Sequence, residues 1–163
     1  MIGNISNFLK LTLLLLAVFQ LHYIFAQSPK YHIAPYQSNW FEASEYCHRM
    51  GMRLAIADSE EKHNDVVREA KAADLHEAAG SFGVWLGATD LARTKVFIWH
   101  NTGIRLRYTH WAAGEPTGGN EHCLELHYWI AQGFNWTWND APCHDMRYAM
   151  CENVDKVSCI EAF

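Results

Sequence analysis

The chain has 163 residues, enough for one domain with a real core. Half of them are hydrophobic, and the 7 Trp, 7 Tyr and 8 Phe are many for this length, so large aromatics fill a core or face a ligand. With 13 Lys+Arg against 18 Asp+Glu and no basic run, the composition argues against a nucleic-acid partner.

The first element is a targeting segment. Lys10 precedes the apolar run LTLLLLAVF, Gln20 and His22 break it, and Ala26 is the expected last residue before cleavage. The run is short against the about 20 residues of a membrane span, so no stable membrane insertion is expected. The expected organisation is a signal at residues 1–26, a domain at 27–153 and a tail at 154–163. Cleavage removes Lys10 and no acid, leaving 12 Lys+Arg against 18 Asp+Glu, a net charge of −6. An extracellular destination makes the five cysteines readable as disulfides. Cys159, four residues from the end, is taken as the odd one. It either pairs with a second chain as a disulfide-linked homodimer or stays a capped or free thiol.

Residues 31–35 read as a short first strand ended by Pro35. Asn39 opens a helix, with Glu42 three residues on completing a capping box. Trp40, Ala43, Tyr46, Cys47 and Met50 recur at helical spacing as its buried face, and Gly51 stops it. Residues 53–57 form a brief strand. Asp58 and Glu61 repeat the cap pattern before a second helix over 59–73, with Val66, Val67, Ala70 and Ala73 as its stripe. Residues 84–89 (VWLGAT) read as a central strand and 96–99 as a short one. From 101 to 121 periodicity is lost among Gly103, Gly114, Pro116, Gly118 and Gly119, which mark a long loop, usually a functional one. Residues 123–128 alternate as a half-buried strand does, and 134–138 and 148–152 are the last strands. The fold class is α+β, with two helices and short, mostly antiparallel strands.

Oxygen-bearing side chains gather at the end of the loop and beyond it: Glu115, Glu121, Asn139 and Asp140. Such a set suits a hard cation. His122, Cys123, Cys143 and His144 lack the spacing of structural zinc sites. Asn135-Trp136-Thr137 matches the N-glycosylation acceptor, and its place inside a predicted strand points to low occupancy. No nucleophile–base pair or phosphate loop stands out, so an enzyme is not expected.

In order and spacing, WFEASEYC (40–47), GMRLA (51–55), VWLGATD (84–90), GEP (114–116), NEHC (120–123), WND (138–140) and the closing YAMCE (148–152) resemble the C-type lectin-like domain in its short form. The match covers residues 31–153. The resemblance implies disulfides Cys47–Cys151 and Cys123–Cys143, a cis Pro116, and one calcium site that binds two neighbouring sugar hydroxyls. Carried over by position, Glu115, Glu121, Asn139 and Asp140 are ligands to calcium and sugar. Thr117 stands where the family has Asn, in a loop about two residues shorter. Its hydroxyl, the Asn120 amide or water would fill the gap. A second calcium is not expected: Asp90 matches one of its acids, but Thr94 and His122 stand where others belong. The implied function is a secreted, calcium-dependent lectin for glycans on glycoproteins or cell surfaces. Glu115-Pro116 favours the mannose/fucose class, with galactose as a second option. The alternative is a calcium-independent protein-recognition module on the same fold.

Overall fold

A computed structural model of the chain describes residues 3–26, 30–73 and 80–154. The chain divides into two units, residues 1–30 and 31–163. The first carries one helix, α1 (Gly3–Ala26), across the segment read as a targeting signal. Among the described residues no helix is long and apolar enough to cross a membrane. Cys159 and most of the tail lie outside the described residues.

The second unit runs β1 (Tyr31–Ser38), α2 (Trp40–Arg49), β2 (Met52–Leu54), α3 (Glu60–Ala72), β3 (Phe82–Thr89), β4 (Ile98–Trp99), β5 (Ile104–Arg105), β6 (Cys123–Trp129), a 3-10 turn (Ile130–Gln132), β7 (Phe134–Ala141) and β8 (Arg147–Asn153). β8 pairs antiparallel with β1 and β2, and parallel with β3. β3 also pairs antiparallel with β4 and β6, and β6 with β7. The fold is therefore α+β with one parallel pair among antiparallel ones.

Local chemistry sets the helix starts. Asn39 Oδ1 accepts from Glu42 N at 3.0 Å, and Glu42 Oε2 accepts from Asn39 N at 3.3 Å, a complete capping box. The α3 cap differs from the expected one. Ser59 Oγ accepts from Lys62 N at 3.2 Å, while Asp58 forms an ion pair with Lys62 at 2.8 Å. The buried face of α2 is Trp40, Ala43 and Cys47. Met50, expected inside, is the C-cap and is 47% exposed, because the chain turns away at Gly51, whose φ is +71°.

Three further expectations are corrected. Pro35 does not end β1: it sits where the register shifts between Ile33 and Gln37, and pairing resumes to Ser38. β5 lies in the stretch where no element is predicted; two exposed residues leave no periodic signal. β6 is buried on both faces over its first five residues, not half-buried. Its polar face is covered by a network in which Glu125, fully buried, accepts from Arg147 Nε at 2.6 Å and Asn139 Nδ2 at 2.8 Å.

One core region centres on Leu86, Trp99, Leu124, Leu126, Trp138 and Met150, the other on Trp40, Leu54, Trp85 and both disulfides. Three buried indole N–H groups have acceptors: Trp40 finds Leu86 O, Trp85 finds Ser38 O, and Trp138 finds His63 Nδ1 at 3.2 Å. His63, a polar residue on the α3 stripe, is buried for that reason. The bridges are Cys47–Cys151, which ties α2 to β8 across 104 residues, and Cys123–Cys143, which closes the 20-residue separation around the β6–β7 hairpin.

Candidate metal centre

The long loop is fastened to β7 by main-chain bonds. Trp138 N donates to His110 O at 2.8 Å, Ala112 N donates to Trp138 O at 2.9 Å, and Glu115 N donates to Ala112 O at 3.1 Å. Beneath them Trp138 is fully buried and held edge-on by Trp99 and Trp111. The next turn contains the cis Glu115–Pro116 peptide and Gly118 and Gly119 at φ of +78° and +74°. Glycine adopts that conformation at little steric cost, so the chain doubles back within four residues. Glu121 N then donates to Gly118 O at 3.3 Å, and His122 N to Ala141 O at 3.1 Å, which returns the loop to the β7 edge.

This path brings Glu115, Glu121 and Asp140 together: one carboxylate oxygen from each lies within 4.8 Å of the others. Asp140 is fully buried, and the two glutamates are half-buried. Thr117 is the hub of the group. Its N–H is shared between Glu115 Oε2 at 3.0 Å and Asp140 Oδ1 at 2.9 Å, and its hydroxyl donates to Glu121 Oε2. Gly118 N donates to Asp140 Oδ2 at 2.7 Å. The residue standing in place of the family's Asn therefore touches all three acids.

Burial raises the Glu115 pKa to about 7, helped by the hydrogen bond and repulsion from Asp140 and by repulsion from Glu121; the Thr117 N–H opposes the rise. The donor set is three carboxylates on a partly buried turn, with neither sulfur nor imidazole among them. It fits a hard divalent cation better than a soft one.

Of the residues singled out in the sequence, Glu115, Thr117, Glu121 and Asp140 meet. Asn139 occupies the adjacent strand position, and its amide donates to Glu125, its direct cross-strand partner. Glu125 itself carried no usable sequence signal, since its place in an alternating strand reads as solvent-facing. Asn120 is exposed. Asn135, the glycosylation candidate, is exposed on β7 opposite Tyr128. Asp90, fully buried, accepts from Lys95 N at 2.5 Å and lies 2.7 Å from His122 Nδ1, so His122 occupies the neighbourhood where a second cation was not expected.

Residues 36–153 match the model of the lectin C-type domain. Salivary C-type lectin 1 of Aedes albopictus is 44% identical over 119 residues, which covers 72% of this chain and 77% of that protein. C-type lectin 16 of Aedes aegypti is 44% identical over the same shares. Among solved structures, herring type II antifreeze protein superposes with a TM-score of 0.61 at 28% identity, covering 77% of this chain and 91% of its own. This chain belongs to the C-type lectin domain family, whose members are binding proteins and not enzymes.

Proposed function

We propose that this chain is a secreted lectin that binds glycans through one calcium ion held by Glu115, Glu121 and Asp140, with Thr117 and Asn139 at the edge of the site. The observation that carries this reading is the convergence of three carboxylates within 4.8 Å on a turn shaped to hold them. Burial, and after it the neighbouring acids, disfavour the charged form of Glu115, and a divalent cation would offset both. Glu115, Glu121 and Asp140 would hold the ion by their carboxylate oxygens, and calcium, which takes six to eight oxygen ligands in a flexible arrangement, would leave room for two neighbouring hydroxyls. The chain's own groups do the rest. The carboxylates accept hydrogen bonds from those hydroxyls, and Thr117 fixes the three acids relative to one another.

Secretion is supported by the signal-like residues 1–26, by two disulfides and by a relative named as salivary. The domain then spans residues 27–153, with 154–163 as a tail whose Cys159 either joins two copies through a disulfide or stays a capped or free thiol. Glu115-Pro116 favours the mannose/fucose class over galactose.

One observation favours a second reading, a calcium-independent recognition module. Both Asp140 oxygens already accept backbone N–H groups, and the other two acids accept from Thr117, so the loop is held together by its own donors. A glycan array probed with calcium and then with chelator separates the two readings. The calcium reading expects glycan signals that vanish in chelator. Signals that persist in chelator, or none under either condition, reject it.

A further inference from the structure

The motif Asn135-Trp136-Thr137 has no part in the carboxylate cluster, and it is the single N-glycosylation acceptor outside residues 1–26. Its place in β7 is irregular. Residues 137–141 pair with β6 in one register and residues 134 and 135 in another, so Trp136 is the extra residue of a β-bulge, with a φ of +57°. Its indole lies in the core, stacked on Tyr128 at 4.7 Å, with the Lys71 ammonium group 5.5 Å from the ring centroid. Asn135 stays exposed, and among the described residues no hydrogen bond engages its side chain. Asn39 and Asn139, by contrast, each use the side chain within the fold.

Thr137 points the same way. Its hydroxyl oxygen is buried and has no hydrogen-bond partner among the described residues. Valine has nearly the same shape without that polar atom, so packing gives no reason for a hydroxyl here. The acceptor motif does give one, because it requires a hydroxyl at its third position.

The surroundings show what a glycan there would do. Among the described residues β7 has a strand on one side, β6, and its other edge is met by a single bridge from Trp111 to Trp138. The adjoining turn leaves Trp129 40% and Ile130 55% exposed. An open strand edge beside exposed apolar groups is a template for pairing with a second chain, and charged side chains are the usual protection. Residues 128–138 contain none.

We propose that Asn135 carries an N-linked glycan, and that this glycan covers the open edge of β7 and the Trp129–Ile130 turn and prevents association along that edge. The Asn135 amide nitrogen bonds to the anomeric carbon of an oligosaccharide carried on a lipid diphosphate. The carbon–oxygen bond to the diphosphate breaks, the lipid diphosphate leaves, and the nitrogen loses one proton. Transfer precedes folding, so a strand position does not prevent it; the fold has only to leave room for the product, which an exposed Asn135 on an open edge provides. Asp140 is five residues along the same strand, roughly 16 Å at about 3.3 Å per residue, so the carboxylate cluster stays open. This rests on secretion of the chain and is independent of calcium and sugar binding.

The test uses the full chain secreted from a eukaryotic host, with the glycan read by peptide mass before and after an amidase that removes N-glycans. Wild type should carry a glycan on the peptide containing Asn135, lost on amidase treatment. Asn135→Gln and Thr137→Val should each abolish it, and Thr137→Ser should keep it. In size-exclusion chromatography with light scattering at tens of micromolar, both unglycosylated variants should form larger species than wild type. Folded wild type trimmed to a single sugar should do the same, so the test does not depend on secretion of the variants. Ile130→Lys added to Asn135→Gln should restore the wild-type size. Protein in the medium with no glycan at Asn135 overturns the proposal and leaves secretion standing. So does a glycosylated wild type that keeps its size after trimming. Wild type retained in the cells overturns secretion, and the proposal with it.

Discussion

At the residue scale, Thr117 is the position where the sequence and the structure differ most in what they say. Against the family motif it reads as a lost ligand. In the fold it is the residue that organises the acids, through one N–H shared by Glu115 and Asp140 and one hydroxyl on Glu121. Sequence cannot show this, because the work is done mainly by a backbone N–H that every non-proline residue carries. Asn139 shows the converse: the WND motif is plain in the chain, but its amide is turned to Glu125, a partner set by strand register. Glu115 gives a direct prediction. Its folded pKa, about 7, lies above the ordinary carboxylate value, so between those two pH values the metal-free fold binds more protons than the unfolded chain. The stability of the metal-free domain therefore falls as pH rises through that window, and the penalty is complete above it. Glu115→Gln removes the penalty. In chelator at pH 8 the variant should melt a degree or two above wild type, on the order of half a kcal/mol once solvent screening is allowed for. At pH 4 that advantage should disappear, and the variant should lose the stabilisation calcium gives to wild type. A differential scanning series checks it, and a variant less stable than wild type in chelator at pH 8 counts against a penalty from burying the charged Glu115 beside Asp140 and Glu121.

At the element scale, the strong local signals were legible and the tertiary ones were not. The Asn39–Glu42 capping box, the α2 stripe and the VWLGAT strand were visible because each depends on neighbours within a few residues. The bulge at Pro35, the two-residue β5 and the double-sided burial of β6 depend on partners far along the chain. Gly87 is another such case. It sits in the middle of β3, where glycine is usually unfavourable, and a Cβ there would lie 2.8 Å from the Leu54 carbonyl oxygen. Its own N–H donates to Ala55 O at 2.9 Å, so backbone meets backbone and neither side can yield cheaply. Gly87→Ala should cost about 1–3 kcal/mol, measured by denaturant unfolding, with the calcium response of the surviving folded fraction retained. An alanine variant as stable as wild type would show that the strand and the Leu54–Ala55 segment separate more easily than this packing implies.

At the scale of the whole molecule, the two disulfides and the sheet make a rigid base, and the long loop is carried on it by hydrogen bonds to β7. Chain order hides how close the acids are, since 25 residues separate Glu115 from Asp140. The family resemblance places them together; what it does not convey is that the shortened loop closes on its own donors. The measurement bearing most directly on the account is a calorimetric titration of calcium into chelator-stripped protein at pH 7.5, with the isosteric Asp140→Asn variant alongside. The account predicts one calcium per chain, with a dissociation constant on the order of 10⁻⁴–10⁻³ M as in other extracellular modules, and loss of that binding in a variant that remains folded. Absence of calcium binding in wild type, together with glycan binding indifferent to chelator, would contradict it.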